Sequence, residues 1–219
     1  MTRFLDIFLS GIAIIFLSPF FIVIAIILKL TGEHEVFYFQ TRVGLYGKPF
    51  RLIKFVTMKR GSSALGSITV KDDPRILPVG KFIRKTKINE LAQLFNIIMG
   101  DMSIVGPRPQ VQRCFDAFSE DSKIAIKTVK PGLSRIGSIV FRNEEEILSS
   151  GALAQQFYDM EIAPYKGELE QWFVKNNTLS TYLLLIALTI WVIFSPSSKV
   201  VYKVFKELPP IPNSLKKIL

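Results

Sequence analysis

Cysteine and histidine are almost missing from this chain: its 219 residues hold one of each, Cys114 and His34. A single cysteine excludes an internal disulfide, fits a reducing compartment, and reads most simply as a small buried hydrophobe. His34 stands between Glu33 and Glu35, so there is no His/Cys cluster at metal-binding spacing. Acidic residues are also scarce, with 18 Asp and Glu against 28 Lys and Arg, a formal net charge of +10. Zinc-finger, helix-turn-helix and RNA-binding signatures are absent as well. The basic excess is therefore assigned to anionic lipid or phosphate-bearing ligands, and no nucleic-acid partner is expected. No internal repeat is evident.

Hydrophobic residues, by contrast, make up 49% of the chain, and the mean hydropathy is +0.32. Combined with a high net charge, this concentrates the apolar residues into segments and suggests a basic domain on a membrane. Phe4 to Leu30 is nearly continuous apolar sequence, long enough to cross a bilayer at about 1.5 Å per residue. Asp6 intrudes near its start, and Ser18-Pro19 interrupts its middle, where proline removes a helix hydrogen bond. A kinked span and a re-entrant hairpin are both open on these grounds; a secretory signal peptide fits less well, for want of a charged start and a cleavage site. Arg3 and Lys29 mark the two ends and can snorkel to one leaflet if the helix re-enters. A second run, Leu179 to Phe194, is short for a span and reads as interfacial or packed on the first, with a true span as the alternative. The chain thus divides into a membrane segment (1–32), a central domain (33–177), a second apolar segment (178–195) and a basic, proline-containing tail (196–219).

Within the central domain, Val36 to Gln40 and Phe50 to Phe55 read as strands of a hairpin, and residues 60–69 as a Gly/Ser-rich loop. Ile88, Leu91, Leu94, Phe95 and Ile98 recur at helical spacing opposite a polar stripe of Asn89, Gln93 and Asn96. Thr86 is the expected N-cap and Gly100 the stop, which puts Asn89 and Glu90 in a first turn whose free N–H groups attract anions; alternatively Glu90 only complements the helix dipole. Arg108 follows, its backbone restricted by a proline on either side. Further on, one or two surface helices are expected to about Lys130, a strand over Ile136 to Phe141, a capped helix start at Asn143-Glu-Glu-Glu146 whose acids are solvated, and a helix over Tyr158 to Val174 punctuated by Pro164. By pattern the fold class is α/β.

Several segments together carry a resemblance. They are the basic run ending at Arg84; Asn89-Glu90-Leu-Ala-Gln-Leu94; Asn96; Gly100-Asp-Met-Ser103; Val105-Gly-Pro-Arg-Pro109; Gln40-Thr-Arg-Val-Gly44; Lys54-Phe-Val-Thr-Met58; and Lys130-Pro-Gly-Leu-Ser134. Over about residues 1 to 195 the chain resembles the bacterial sugar transferases, the monotopic polyprenol-phosphate phosphoglycosyl transferases. It departs from their pattern at Asn89, where an Asp-Glu dyad has its aspartate, at Ala92 for proline, at Val56 for a basic residue, and at Arg135 for glycine.

The resemblance implies a largely helical unit with a short sheet, held at the cytoplasmic face of a bacterial inner membrane. A re-entrant helix broken at Ser18 and Pro19 and an interfacial helix would do the holding. It implies transfer of a phosphosugar from a UDP-sugar to polyprenol (undecaprenyl) phosphate with release of UMP, assisted by Mg2+, with membrane lipid as a further partner and room for a homodimer. Residue by residue, Asn89 and Glu90 take the catalytic and metal-binding positions, and Lys54, Arg75, Arg84 and Arg108 become phosphate or nucleotide contacts. An amide is a poor nucleophile and a weaker magnesium ligand than a carboxylate. Three accounts follow for Asn89: Glu90 acts as nucleophile or base, the chain binds without turnover, or the asparagine is an inactivating substitution.

Overall fold

The computed structural model describes residues 2–62, 73–142, 152–195 and 198–216. Most of the expected 60–69 loop and the Asn143 to Glu146 segment lie outside them. The fold is mostly helical with two small sheets. Helix α1 (Thr2–Leu30) runs through Pro19. Proline cannot donate to the carbonyl four residues back, that of Ile15, and the Ser18 hydroxyl donates to it instead at 2.8 Å. The Ser-Pro pair therefore breaks the ladder and repairs the acceptor it orphans. Around this point one face of the helix is bare, with Phe16 83% exposed, while Leu17 and Phe21 on the other pack on the domain.

Asp6, the charge inside the apolar run, is 2% exposed. Its Oδ1 accepts from Ser103 Oγ at 2.9 Å, the Ile104 amide at 2.8 Å and Tyr182 Oη at 2.8 Å. Arg3 does not snorkel: its guanidinium donates to the Ile97 and Ile98 carbonyls at the end of α3 (Gln93–Met99), as a cation at a helix C-terminus should. At the other end Phe21, Ile24 and Leu28 enter a hydrophobic cluster with Leu52, Phe55, Ala92 and Leu94.

Strands β1 (Phe37–Val43) and β2 (Pro49–Phe55) form the expected antiparallel hairpin, pairing Phe37 with Phe55 and Val43 with Pro49. Helix α2 (Pro78–Lys85) packs close beneath it, since a Cβ on Gly80 would lie 2.2 Å from the Thr57 carbonyl oxygen. Thr86 is the C-cap of α2, not the start of the next helix, and its hydroxyl bonds back to the Phe82 carbonyl at 2.9 Å. Lys87 then adopts a left-handed conformation (φ 59°) that reverses the chain into a 3-10 turn (Ile88–Glu90), before α3 ends at Gly100 (φ 96°) as expected.

The polar stripe faces inward, contrary to the amphipathic reading. Asn96, fully buried, accepts from the Ile53 amide at 2.9 Å and donates to the Arg51 carbonyl at 2.8 Å, stitching α3 to β2. Ile98 and Met99 are exposed beside the Arg3 anchor.

Two segments then meet backbone to backbone. Strand β3 (Ser103–Val105) pairs in parallel with β4 (Gly132–Ser134). A Cβ on Gly132 would stand 2.0 Å from the Gly106 nitrogen, and one on Gly106 would stand 2.4 Å from the Lys130 carbonyl oxygen. Only glycine at both positions lets the chains cross.

Short helices α4 (Gln112–Asp116) and α5 (Glu120–Lys127) fill the connection, as expected. Ile136–Val140 is a helix, α6, and not a strand. A run of five apolar-rich residues fits either period, and burial of Ile136 and Ile139 against α8 decides it. Helix α7 (Ala152–Phe157) continues through a π segment (Tyr158–Ile162) into α8 (Ala163–Lys175), with Pro164 tolerated in the first turn of α8. Helices α9 (Leu179–Phe194) and α10 (Val200–Val204) complete a second hydrophobic cluster. Ile104 packs against both clusters.

Candidate active site

A cavity of about 730 Å³ opens at the seam between the two clusters. From the α1/β2 side, β2 contributes Lys54 and the 3-10 turn contributes Asn89 and Glu90. From the α8/α9 side, β4 and α6 bring Arg135, and the rigid Pro-Arg-Pro after β3 brings Arg108. Arg84, in the last turn of α2, lines the same space, and so does Arg42 from β1. Farther along, the walls become the apolar face of α9 at Ile186, Ile190 and Ile193.

Glu90 is the centre of the charge arrangement. Its Oε2 accepts from Arg135 Nη2 at 2.7 Å, and Arg135 is 4% exposed. Burial pushes the Glu90 carboxyl up, but Arg135, Arg108 and Lys54 more than reverse this and hold it well below the usual carboxylate range. Glu90 is thus ionised at any physiological pH and is a weak base. The cations pay the opposite penalty. Burial and then Arg108 bring Arg135 down to about 10, the same two causes bring Arg42 to about 10, and burial and then Arg42 push Lys54 well down. Behind Arg135, buried Glu170 accepts from the Arg108 amide at 3.4 Å. Burial outweighs its cationic neighbours Arg135, Lys166 and Arg108 and raises it to about 7.

Of the residues singled out in the sequence, Lys54, Arg84, Asn89, Glu90 and Arg108 converge. Arg75 stands at the rim, where its guanidinium grips Asp73 (Nη2 to Oδ2 2.6 Å) and the Ser62 carbonyl (3.1 Å). The anion-attracting helix start does not form, because the amides of Glu90, Leu91 and Leu94 are already bonded to the carbonyls of Lys87, Ile88 and Leu91.

Arg42 and Arg135 were visible only as motif positions, without a role. Arg42 donates to the Pro109 carbonyl at 3.0 Å and to Gln40 Oε1, so it fixes the Pro-Arg-Pro segment as well as adding charge. Asp6 carried the other missed signal, since an acid in a membrane run needs partners elsewhere in the chain.

The donor set does not suit a resident divalent cation. Asn89 offers a neutral oxygen, Glu90 is held by Arg135, and the surrounding groups are cations. Among the described residues no three His, Cys, Asp or Glu side chains come together as a metal site.

The cavity is basic around Glu90 and bounded farther on by the apolar side of α9, and the domain that carries it is tied to an N-terminal helix long and apolar enough to cross a membrane. The sequence model of the bacterial sugar transferase family matches residues 1–196, and the chain belongs to that family.

The chain is 34% identical over 191 residues (86% of this chain, 42% of the relative) to the UDP-N-acetylgalactosamine-undecaprenyl-phosphate N-acetylgalactosaminephosphotransferase of Aeromonas hydrophila. It is 33% identical over 172 residues (77% of this chain, 36% of the relative) to the UDP-glucose:undecaprenyl-phosphate glucose-1-phosphate transferase of Escherichia coli. It is also 33% identical over 158 residues (65% and 70%) to the exopolysaccharide production protein ExoY of Sinorhizobium fredii. The chain spans less than half the length of the first two.

Proposed function

We propose that this chain transfers a phosphosugar from a UDP-sugar to undecaprenyl phosphate, releasing UMP at the cytoplasmic face of a bacterial inner membrane and starting assembly of a polysaccharide or glycoconjugate. The observation that carries this reading is the cavity itself: Glu90 among Lys54, Arg42, Arg108 and Arg135 at one end, and the apolar side of α9 at the other. The cations suit a diphosphate and a lipid phosphate, and the apolar wall suits the first part of a prenyl chain.

A re-entrant α1 is supported by two features. The Ser18-Pro19 pair interrupts the hydrogen-bond ladder at mid-length, and contacts with one domain run from Asp6 through Leu17 and Phe21 to Leu28, about 33 Å on a straight helix. Exposed Ile98 and Met99, beside the start of α1, suit contact with the headgroup region in this reading.

Held ionised among cations in the cavity, Glu90 takes the role of nucleophile in this reading. A Glu90 oxygen forms a bond to the sugar-bearing phosphorus, the bond from phosphorus to the UMP oxygen breaks, and UMP leaves with the electron pair. The lipid phosphate then displaces Glu90 from phosphorus. The arginines balance charge as it shifts to the leaving oxygen.

The ion pair between Glu90 and Arg135 and the amide at Asn89 favour one second reading, a member that binds donor and lipid without turnover. UMP release from a panel of UDP-sugars by the purified chain in lipid nanodiscs, with and without undecaprenyl phosphate, separates the two. Release of up to one equivalent without lipid, and turnover with it, is the expected result, and Asn89→Asp keeps or raises that turnover. Release only with lipid would replace the covalent step by direct attack of the lipid phosphate. Nucleotide binding with no release under any condition establishes the second reading.

A further inference from the structure

Given the donor-binding reading above, we propose that Arg135 serves in this chain as a built-in counter-cation for the donor diphosphate, so that nucleotide binding needs no divalent metal. Four observations lead there. The carboxylate beside Asn89 already has a cation, since Arg135 Nη2 lies 2.7 Å from Glu90 Oε2. The adjacent donor, Asn89 Oδ1, is buried, neutral and without a hydrogen-bond partner among the described residues. Arg135 also has donor capacity to spare, because its Nε is buried with no hydrogen-bond partner among the described residues while the residue lines the cavity. A guanidinium can hold a carboxylate with one edge and a phosphate with another, which an ammonium cannot do in fixed geometry. Finally, Arg135 directly follows the β3/β4 glycine crossing, so its position relative to Arg108 is fixed before any ligand arrives.

The two sequence departures act in the same direction. An amide at 89 removes one negative charge from the pattern the chain resembles, and an arginine at 135 adds one positive charge, which together equal the charge of a divalent cation. A metal brought beside Asn89 would meet Arg42, Lys54, Arg108 and Arg135, and the carboxylate next to it, that of Glu90, is already engaged. The diphosphate instead meets the cations directly. Arg135 holds its negative oxygens beside Glu90 and reduces the repulsion between that carboxylate and the incoming phosphorus.

The test measures binding of UDP, and of inorganic pyrophosphate as a nucleotide-free probe, to the full chain in nanodiscs by calorimetry, in excess EDTA and in magnesium chloride. The parent is expected to bind UDP with affinities within about threefold of each other in the two buffers. Arg135→Gly is expected to weaken binding in EDTA by about tenfold or more, with Arg135→Lys recovering only part of it because the fork is lost. Arg135→Gly combined with Asn89→Asp is expected to bind UDP only when magnesium is present. That pair keeps the outcome readable if Arg135→Gly alone is poorly folded, since regained metal-dependent binding requires a folded site.

A parent whose UDP affinity falls about tenfold or more in EDTA overturns the proposal and leaves the donor-binding reading standing. So does equal binding by parent and Arg135→Gly in EDTA. Absence of UDP and pyrophosphate binding in both buffers overturns the donor-binding reading and this one with it.

Discussion

Asp6 and Glu90 are both carboxylates set into largely apolar surroundings, and the chain satisfies them in opposite ways. Asp6 receives three neutral donors from two elements distant in sequence, β3 and α9. Glu90 receives cations: Arg135 in direct contact, with Arg108 and Lys54 close enough to hold it ionised. The first arrangement is neutral, because three uncharged donors converge on one carboxylate oxygen, Asp6 Oδ1. The second is open, because Arg42, Lys54, Arg108 and Arg135 gather around Glu90 in a cavity with room for a further anion. A buried acid matched by hydroxyls and amides is architecture, whereas one outnumbered by guanidinium groups marks a binding site.

The sharpest way to break this comparison is to remove each charge and read both activity and stability. Glu90→Gln should lower UMP release by about a hundredfold or more while the protein still folds. A rate equal to the parent's would take Glu90 out of the chemistry. Asp6→Ala should do the reverse, leaving any nucleotide affinity of folded protein intact while costing about 3 kcal/mol, since it strands three donors at once. Thermal unfolding in nanodiscs measures that loss, and a midpoint matching the parent's would deny Asp6 its anchoring role.

Glu170 lies between the two cases, with a raised carboxyl beside Arg135. Its folded value of about 7 exceeds the ordinary 4.5, so the folded state holds the proton more tightly. The contribution is fully present below about pH 4.5 and is lost as pH rises through 7. Glu170→Gln should flatten that decline by up to about 3 kcal/mol between pH 5 and 8, and parallel stability curves for variant and parent would reject the assignment. The smallest effect belongs to Arg3→Ala, about 0.5–1 kcal/mol from the lost cap on α3, read from the same unfolding measurement.

The sequence reached the hairpin, the Gly100 stop, the helices over Tyr158 to Val174 and Leu179 to Phe194 and the convergence of Lys54, Arg84, Glu90 and Arg108, because those rest on local chemistry or on motif positions. It failed where the deciding partner is remote. Asn96 looks like one more polar residue on a helix face until its partners, the backbone groups of Arg51 and Ile53, are known. Thr86 is a good N-cap by type, yet the left-handed Lys87 after it closes α2 instead. Arg135 was a departure without a role, since its partner Glu90 lies 45 positions earlier. No periodicity encodes such a meeting; it requires the whole path from β2 through the glycine crossing to α6.

That crossing also governs how the cavity can respond to what enters it. With the Gly106 and Gly132 backbones too close to admit even a methyl group, the two arms bearing Arg108 and Arg135 behave as one casting, without a hinge between them. Any accommodation of a bulkier sugar or a different headgroup falls to the opposite wall, where the 3-10 turn hangs from the single left-handed residue Lys87. Changes in donor preference should therefore collect on the Lys87 side of the cavity, with the arginine side kept as a constant gauge of phosphate spacing.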